Sequence, residues 1–69
     1  MNKTIDSLPE TDKLLYRVED AARLLDISVP TLYRLMAAGE LPYTKLNRRI
    51  RRIRYQDLIA FVNRNTYGA

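Results

Sequence analysis

Read for apolar and polar positions, the chain divides into segments of different period. Residues 1–13, MNKTIDSLPETDK, follow neither a helical nor an alternating pattern and are broken by Pro9, which predicts a flexible arm ahead of the folded part. Leu14, Leu15, Tyr16, Arg17 and Val18 form a short, mostly apolar run, and Glu19 and Asp20 follow it where a helix N-terminus favours negative charge. A first helix is predicted over about residues 19–26, with Ala21, Ala22, Leu24 and Leu25 on its inner face. Asp26-Ile27-Ser28 interrupts the pattern, and Ser28 is a strong N-cap candidate because its hydroxyl can accept from the unpaired amides that follow. Pro30 falls in the next first turn, where its missing N–H costs nothing. A second helix is predicted over about 29–38, closed by Gly39 in a left-handed conformation. Leu32, Leu35 and Met36 share one side of it, and Pro30, Tyr33, Arg34 and Ala37 share the other.

Past Glu40-Leu41-Pro42 the period changes from helical to alternating. Tyr43 to Leu46 and roughly Ile50 to Tyr55 read as two strands of a hairpin, with Asn47-Arg48-Arg49 at its turn. A third helix over about 56–65 presents Leu58, Ile59, Phe61 and Val62, and residues 66–69 are expected to fray. The predicted architecture is α+β and mostly α: three short helices and a two-stranded hairpin in one domain over 14–65. Leu14, Leu15, Val18, Leu24, Leu25, Leu32, Leu35, Leu58, Phe61 and Val62 are its expected core.

Within the hairpin, Ile50 and Ile53 lie three apart, so a regular strand sends them to opposite faces. Ile53 shares its phase with Tyr55 and is expected to face the core. Ile50 then sits outside, unless a β-bulge between the two returns it inward.

Composition narrows what such a domain can do. With 69 residues, about 60% of the unfolded chain's surface can be hidden, so a single modest core is the limit. Cysteine and histidine are both absent, which removes disulfides, thiolate chemistry and the usual nitrogen and sulfur ligands of zinc. Glu19, Asp20 and Asp26 lack metal-site spacing, and only Gly39 and Gly68 are available for a phosphate loop. Neither a metal nor a cofactor is expected, and an enzyme is improbable. No apolar run approaches the roughly 20 residues of a membrane span, so a cytoplasmic protein is expected.

The net charge of +4 conceals a division. Residues 1–26 carry four basic groups against six acids, a net of −2, whereas residues 27–69 carry eight against two, a net of +6. Lys45, Arg48, Arg49, Arg51, Arg52 and Arg54 place six cations in ten residues with no acid among them. An edge strand uses a charge or two to resist aggregation, but six like charges repel one another, which points to a polyanionic partner. Arginine forks suit phosphate oxygens and the electronegative minor groove. Ahead of this run, two helices joined by a three-residue break have the layout of a helix-turn-helix. The outer face of the second offers Thr31, Tyr33 and Arg34, groups able to reach base edges and phosphates. Tyr16 and Tyr67 could stack on bases, although half-buried packing is the commoner use of such tyrosines.

The stretch YRVEDAARLLDISVPTLYRLMAAGELP, followed by a basic hairpin and IRYQDLIAFV, resembles the excisionase family of small winged helix-turn-helix proteins, relatives of the DNA-binding part of MerR-type regulators. The likeness covers about residues 16–62. It implies that the second helix enters the major groove of double-stranded DNA, and that the wing reaches an adjacent minor groove or its backbone. Ser28, Thr31, Tyr33 and Arg34 match recognition-helix positions, with Val29 and Pro30 in the same first turn. Lys45, Arg48 and Arg49 match the basic wing, extended by Asn47, Arg51 and Arg52. Val29 stands where the family often has arginine, so readout there falls to thymine methyls or is absent. Asn47 stands where glycine is usual, and the wing is one residue longer than is common. The resemblance further implies a tyrosine integrase as partner, cooperative side-by-side binding of copies on DNA, and bending that favours excision of a phage or integrative element. A transcriptional regulator of a mobile element, or a winged module that binds an acidic protein, are the other readings.

Overall fold

The computed structural model describes residues 13–68. The expected arm at 1–13 therefore lies outside the described residues except for Lys13, and Ala69 lies outside them at the other end. The element order is β1 (Leu15–Arg17), α1 (Val18–Leu25), α2 (Val29–Ala37), β2 (Thr44–Lys45), β3 (Arg51–Arg54) and α3 (Tyr55–Arg64). This is a small α+β fold of the winged-helix kind, mostly helical.

The helix boundaries follow local chemistry. α1 opens with Glu19 and Asp20 in its first turn and ends at Asp26, whose φ of 58° is left-handed. There the Asp26 N–H donates to the Arg23 carbonyl and the Ile27 N–H to Ala22, the paired bonds of a Schellman ending. α2 ends the same way: Gly39, at φ 76°, donates to Met36, and Glu40 donates to Leu35. The chain thus reverses after each helix with its terminal carbonyls satisfied. α3 has no side-chain N-cap. Arg54 instead reaches forward to Asp57 in the helix's first turn through two bonds of 2.8 and 2.9 Å. At the far end, the Asn65 and Thr66 side chains donate to the carbonyls of Phe61 and Val62.

The wing is not a free two-stranded hairpin, as the sequence predicts, but part of a three-stranded antiparallel sheet of order β1-β3-β2. Leu15, Tyr16 and Arg17 pair with Arg54, Ile53 and Arg52, and Thr44 and Lys45 pair with Arg52 and Arg51. The register runs on without a bulge to the Leu46 N–H, which donates to the Ile50 carbonyl at 2.9 Å and leaves residues 47–49 as the turn. Ile53 is fully buried beside its partner Tyr16, while Ile50 lies half-buried on the opposite face. The regular strand therefore settles the phase of the two isoleucines.

The core is formed by Tyr16, Val18, Ala21, Ala22, Leu32, Met36, Leu41, Ile53 and Leu58, with Leu25, Ile27, Val29, Leu35, Tyr55 and Phe61 packed around it. Fully burying Leu32, Leu41 and Ile53 stabilises the fold by about 1.5–3 kcal/mol each. Of the residues expected in the core, Leu14 is 80% exposed, Leu24 55% and Val62 45%, and Leu15 is half-buried on β1 outside the central cluster. Leu24 and Val62 instead border a shallow apolar groove of about 200 Å³ between α1 and α3, shared with Leu25, Tyr55, Leu58 and Ile59. Helices of two to three turns have room for one buried stripe, and α1 gives that stripe to Ala21 and Ala22, which bring α1 close to its neighbours. No helix among the described residues is long and apolar enough to cross a membrane, and no group of acidic residues among them could hold a metal ion.

Candidate nucleic-acid interface

Two elements carry the residues that the sequence marks for binding. On α2, Leu32 and Met36 are buried while Pro30, Tyr33, Arg34 and Ala37 face solvent, so the helix is fixed by one side and displays the other. A chain of hydrogen bonds crosses its first two turns. The Ser28 Oγ accepts from the Thr31 N–H at 3.2 Å and donates to the Thr31 Oγ1 at 2.8 Å. The Arg34 guanidinium donates to the same Oγ1 at 3.2 Å. With two bonds accepted, the Thr31 hydroxyl retains its proton for an acceptor outside the protein, and Arg34 retains most of its five donors. Together these two offer donors to the acceptors that guanine and the phosphates present. Tyr33 is 43% exposed on the same side. No acid lies in the first turn of α2 to repel an anion.

Val29, in the first turn, is half-buried: part of its side chain packs against the core and the rest stays at the surface beside Pro30. A single apolar residue in a first turn can serve the core or the surface, and the packing partner is a non-local fact.

The wing gathers Lys45, Arg48, Arg49, Arg51 and Arg52, of which Lys45, Arg48 and Arg49 are exposed. Arg51 lies over the Tyr43 ring with 5.6 Å to its centroid, and Arg52 donates to the Arg51 carbonyl at 3.0 Å. Asn47 stands at the turn between these cations. Its Oδ1 accepts from the Arg49 N–H at 2.8 Å and the Ile50 N–H at 3.0 Å, folding the turn in place of the glycine usual there. Arg54, the sixth cation of the run, is withdrawn by the Asp57 carboxylate, which hydrogen-bonds it and holds its pKa above the ordinary arginine value.

Electrostatically, the wing is strained in the free protein. Lys45 and Arg51 are direct cross-strand partners, and so are Arg17 and Arg52. Like charges in directly opposed positions destabilise a sheet. Among the described residues no carboxylate lies within ion-pair distance of any of the four, since the ion pairs formed are Lys13–Asp20, Arg23–Asp20 and Arg54–Asp57. Arg17 was not marked by the sequence, because nothing in Leu15-Tyr16-Arg17 announces that this segment pairs with the wing. Tyr43, the platform beneath Arg51, could have been found: an aromatic two residues before Lys45 in an alternating segment shares its face.

Residues 15–66, most of the chain, match the model of a family described as a helix-turn-helix domain. No curated protein matches the chain.

Proposed function

The chain belongs to the helix-turn-helix domain family, a family of excisionase-like small DNA-binding proteins, and on that premise we propose that it is an excisionase, a recombination directionality factor. It binds double-stranded DNA through Ser28, Thr31, Tyr33 and Arg34 in the major groove. Lys45, Arg48, Arg49, Arg51 and Arg52 hold the backbone and minor groove beside it. Bound copies bend the duplex and bring a tyrosine integrase to the excision of a mobile element, inside the cytoplasm and without chemistry of their own.

The observation that carries this reading is the pairing of two unlike surfaces in so small a domain. A hydrogen-bonded Ser28–Thr31–Arg34 array offers directed donors, while a wing of uncompensated cations offers charge. Directed donors suit base edges, and cations suit phosphates and offset the energy of bending, which runs to about 1–6 kcal/mol for a 20–30 bp site.

The test is a footprint over the flanks of the host element, with the bend measured on the same fragments and excision scored with the integrase present. Protection of repeated sites, filled cooperatively, with a bend and a rise in excision, is the expected result. Protection of a single promoter site with excision unchanged would make the protein a transcriptional regulator instead.

A further inference from the structure

β1 contributes a cation to the wing that no motif assigns, and its place in the sheet gives that cation a ligand. Arg17 of β1, Arg52 of β3 and Thr44 of β2 stand in one row across the three strands, because Arg52 is the register partner of both others. Directly opposed side chains share a face, and this face is the one turned away from the buried Tyr16 and Ile53. The row thus sets two guanidinium groups and a hydroxyl side by side on the outer surface of the sheet. Arg52 is steadied there by its bond to the Arg51 carbonyl. Arg17 is exposed and, although it occupies the N-cap of α1, makes no side-chain cap bond. Glu19, two residues on, is within ion-pair distance of neither arginine.

The other like-charged pair, Lys45 and Arg51, alternates with this row and so points to the opposite face of the same sheet. A hairpin with cations on both faces is poorly suited to a flat acidic surface, which can meet only one of them. It is suited to a groove, whose two walls are the phosphate backbones of two strands. Resting on the DNA-binding reading above, we propose that Arg17, Arg52 and Thr44 form a second phosphate-binding site, which grips the backbone of one strand while Lys45 and Arg51 face the other. The wing then works as a wedge held from both sides, with β1 as part of the DNA-contacting surface.

Each phosphate contact contributes about 0.9 to the slope of log affinity against log salt, or close to 8-fold in affinity at 0.1 M salt. Substituting Arg17→Gln in the whole protein should weaken duplex binding about 5- to 10-fold and flatten that slope by about 0.9, whereas Arg17→Lys keeps the slope. Melting temperature should stay level or rise with Arg17→Gln, because a repulsive pair with Arg52 is relieved. Ethylation of single phosphates should show the Arg17→Gln defect on one strand and the Arg51→Gln defect on the other. Arg17→Gln binding within twofold of the parent at an unchanged slope overturns the site while leaving the DNA-binding reading intact. A parent protein that fails to bind duplex DNA overturns both. Polyglutamate competing as well as duplex DNA for the parent, but not for Arg17→Gln, assigns the row to an acidic protein and overturns it as well.

Discussion

The second helix and the wing differ in what holds their side chains before any ligand arrives. On α2, Leu32 and Met36 lock the helix to the core, and Ser28, Thr31 and Arg34 are bonded to one another in a fixed array. On the wing, the backbone is fixed by its register, yet the exposed Lys45, Arg48 and Arg49 have no bonded carboxylate among the described residues. The first region has its geometry set in advance and can discriminate. The second has its charge set in advance and leaves the geometry to the ligand, which on the proposed reading adds affinity on any duplex. On that reading the contrast would separate specificity from affinity within one small domain.

The strongest way to break that contrast is through the core that both regions share. Leu32 on α2 and Ile53 on β3 are both fully buried in one cluster. Leu32→Ala should cost about 2–5 kcal/mol, a large part of what so small a domain has, and should lower the melting temperature steeply by circular dichroism. Binding to random duplex should fall together with binding to the preferred site. If the wing had support of its own, its nonspecific binding would survive the substitution.

The contrast is sharpened by removing one region's contacts at a time. Arg34→Ala should cost about 1–3 kcal/mol at the preferred site and less on random DNA. Arg48→Ala with Arg49→Ala should weaken both and flatten the salt slope by about 1.8. Titrations on the two duplexes at several salt concentrations check this, and equal losses on both for Arg34→Ala would sink the division of labour.

Why the sequence reveals one region more fully than the other follows from the range of the interactions involved. α2 is marked by local chemistry: the Ser28 cap, Pro30 in the first turn and the left-handed Gly39 act within a few residues, and each stands where it is expected. The cations of the wing are equally visible. What escapes is non-local. Leu15–Arg17 is three residues long, too short to show alternation, and becomes a strand only because β3, more than thirty residues away, offers its edge. Arg17 could be no part of a candidate site until that pairing was known. Leu41 is likewise buried from outside any helix, because the turn at Gly39 brings it back until its N–H meets the Leu35 carbonyl at 3.3 Å. The overestimate at Leu14, Leu24 and Val62 has a simpler cause, for the chain has more apolar positions than a core of this size can enclose.

Asn47 gives the finest test, because it sits among the wing's cations yet is held as firmly as anything on α2. Its Oδ1 is already committed to the Arg49 and Ile50 amides, so its work is to shape the turn that presents Arg48 and Arg49. Asn47→Ala removes two exposed bonds that water can partly replace, so the cost in stability should be about 0.5–1 kcal/mol in thermal unfolding. DNA binding should fall about two- to fivefold, the equivalent of ordering a loosened tip at about 0.5–1 kcal/mol, and by the same factor on preferred and random duplex. No charge is lost, so the salt slope should not move. A changed slope, or a loss confined to the preferred site, would instead make Asn47 a direct reader of DNA and place a discriminating contact in the wing. An equal loss at constant slope leaves the wing what its geometry makes it, a charged element whose shape is set by one residue and whose affinity comes from the others.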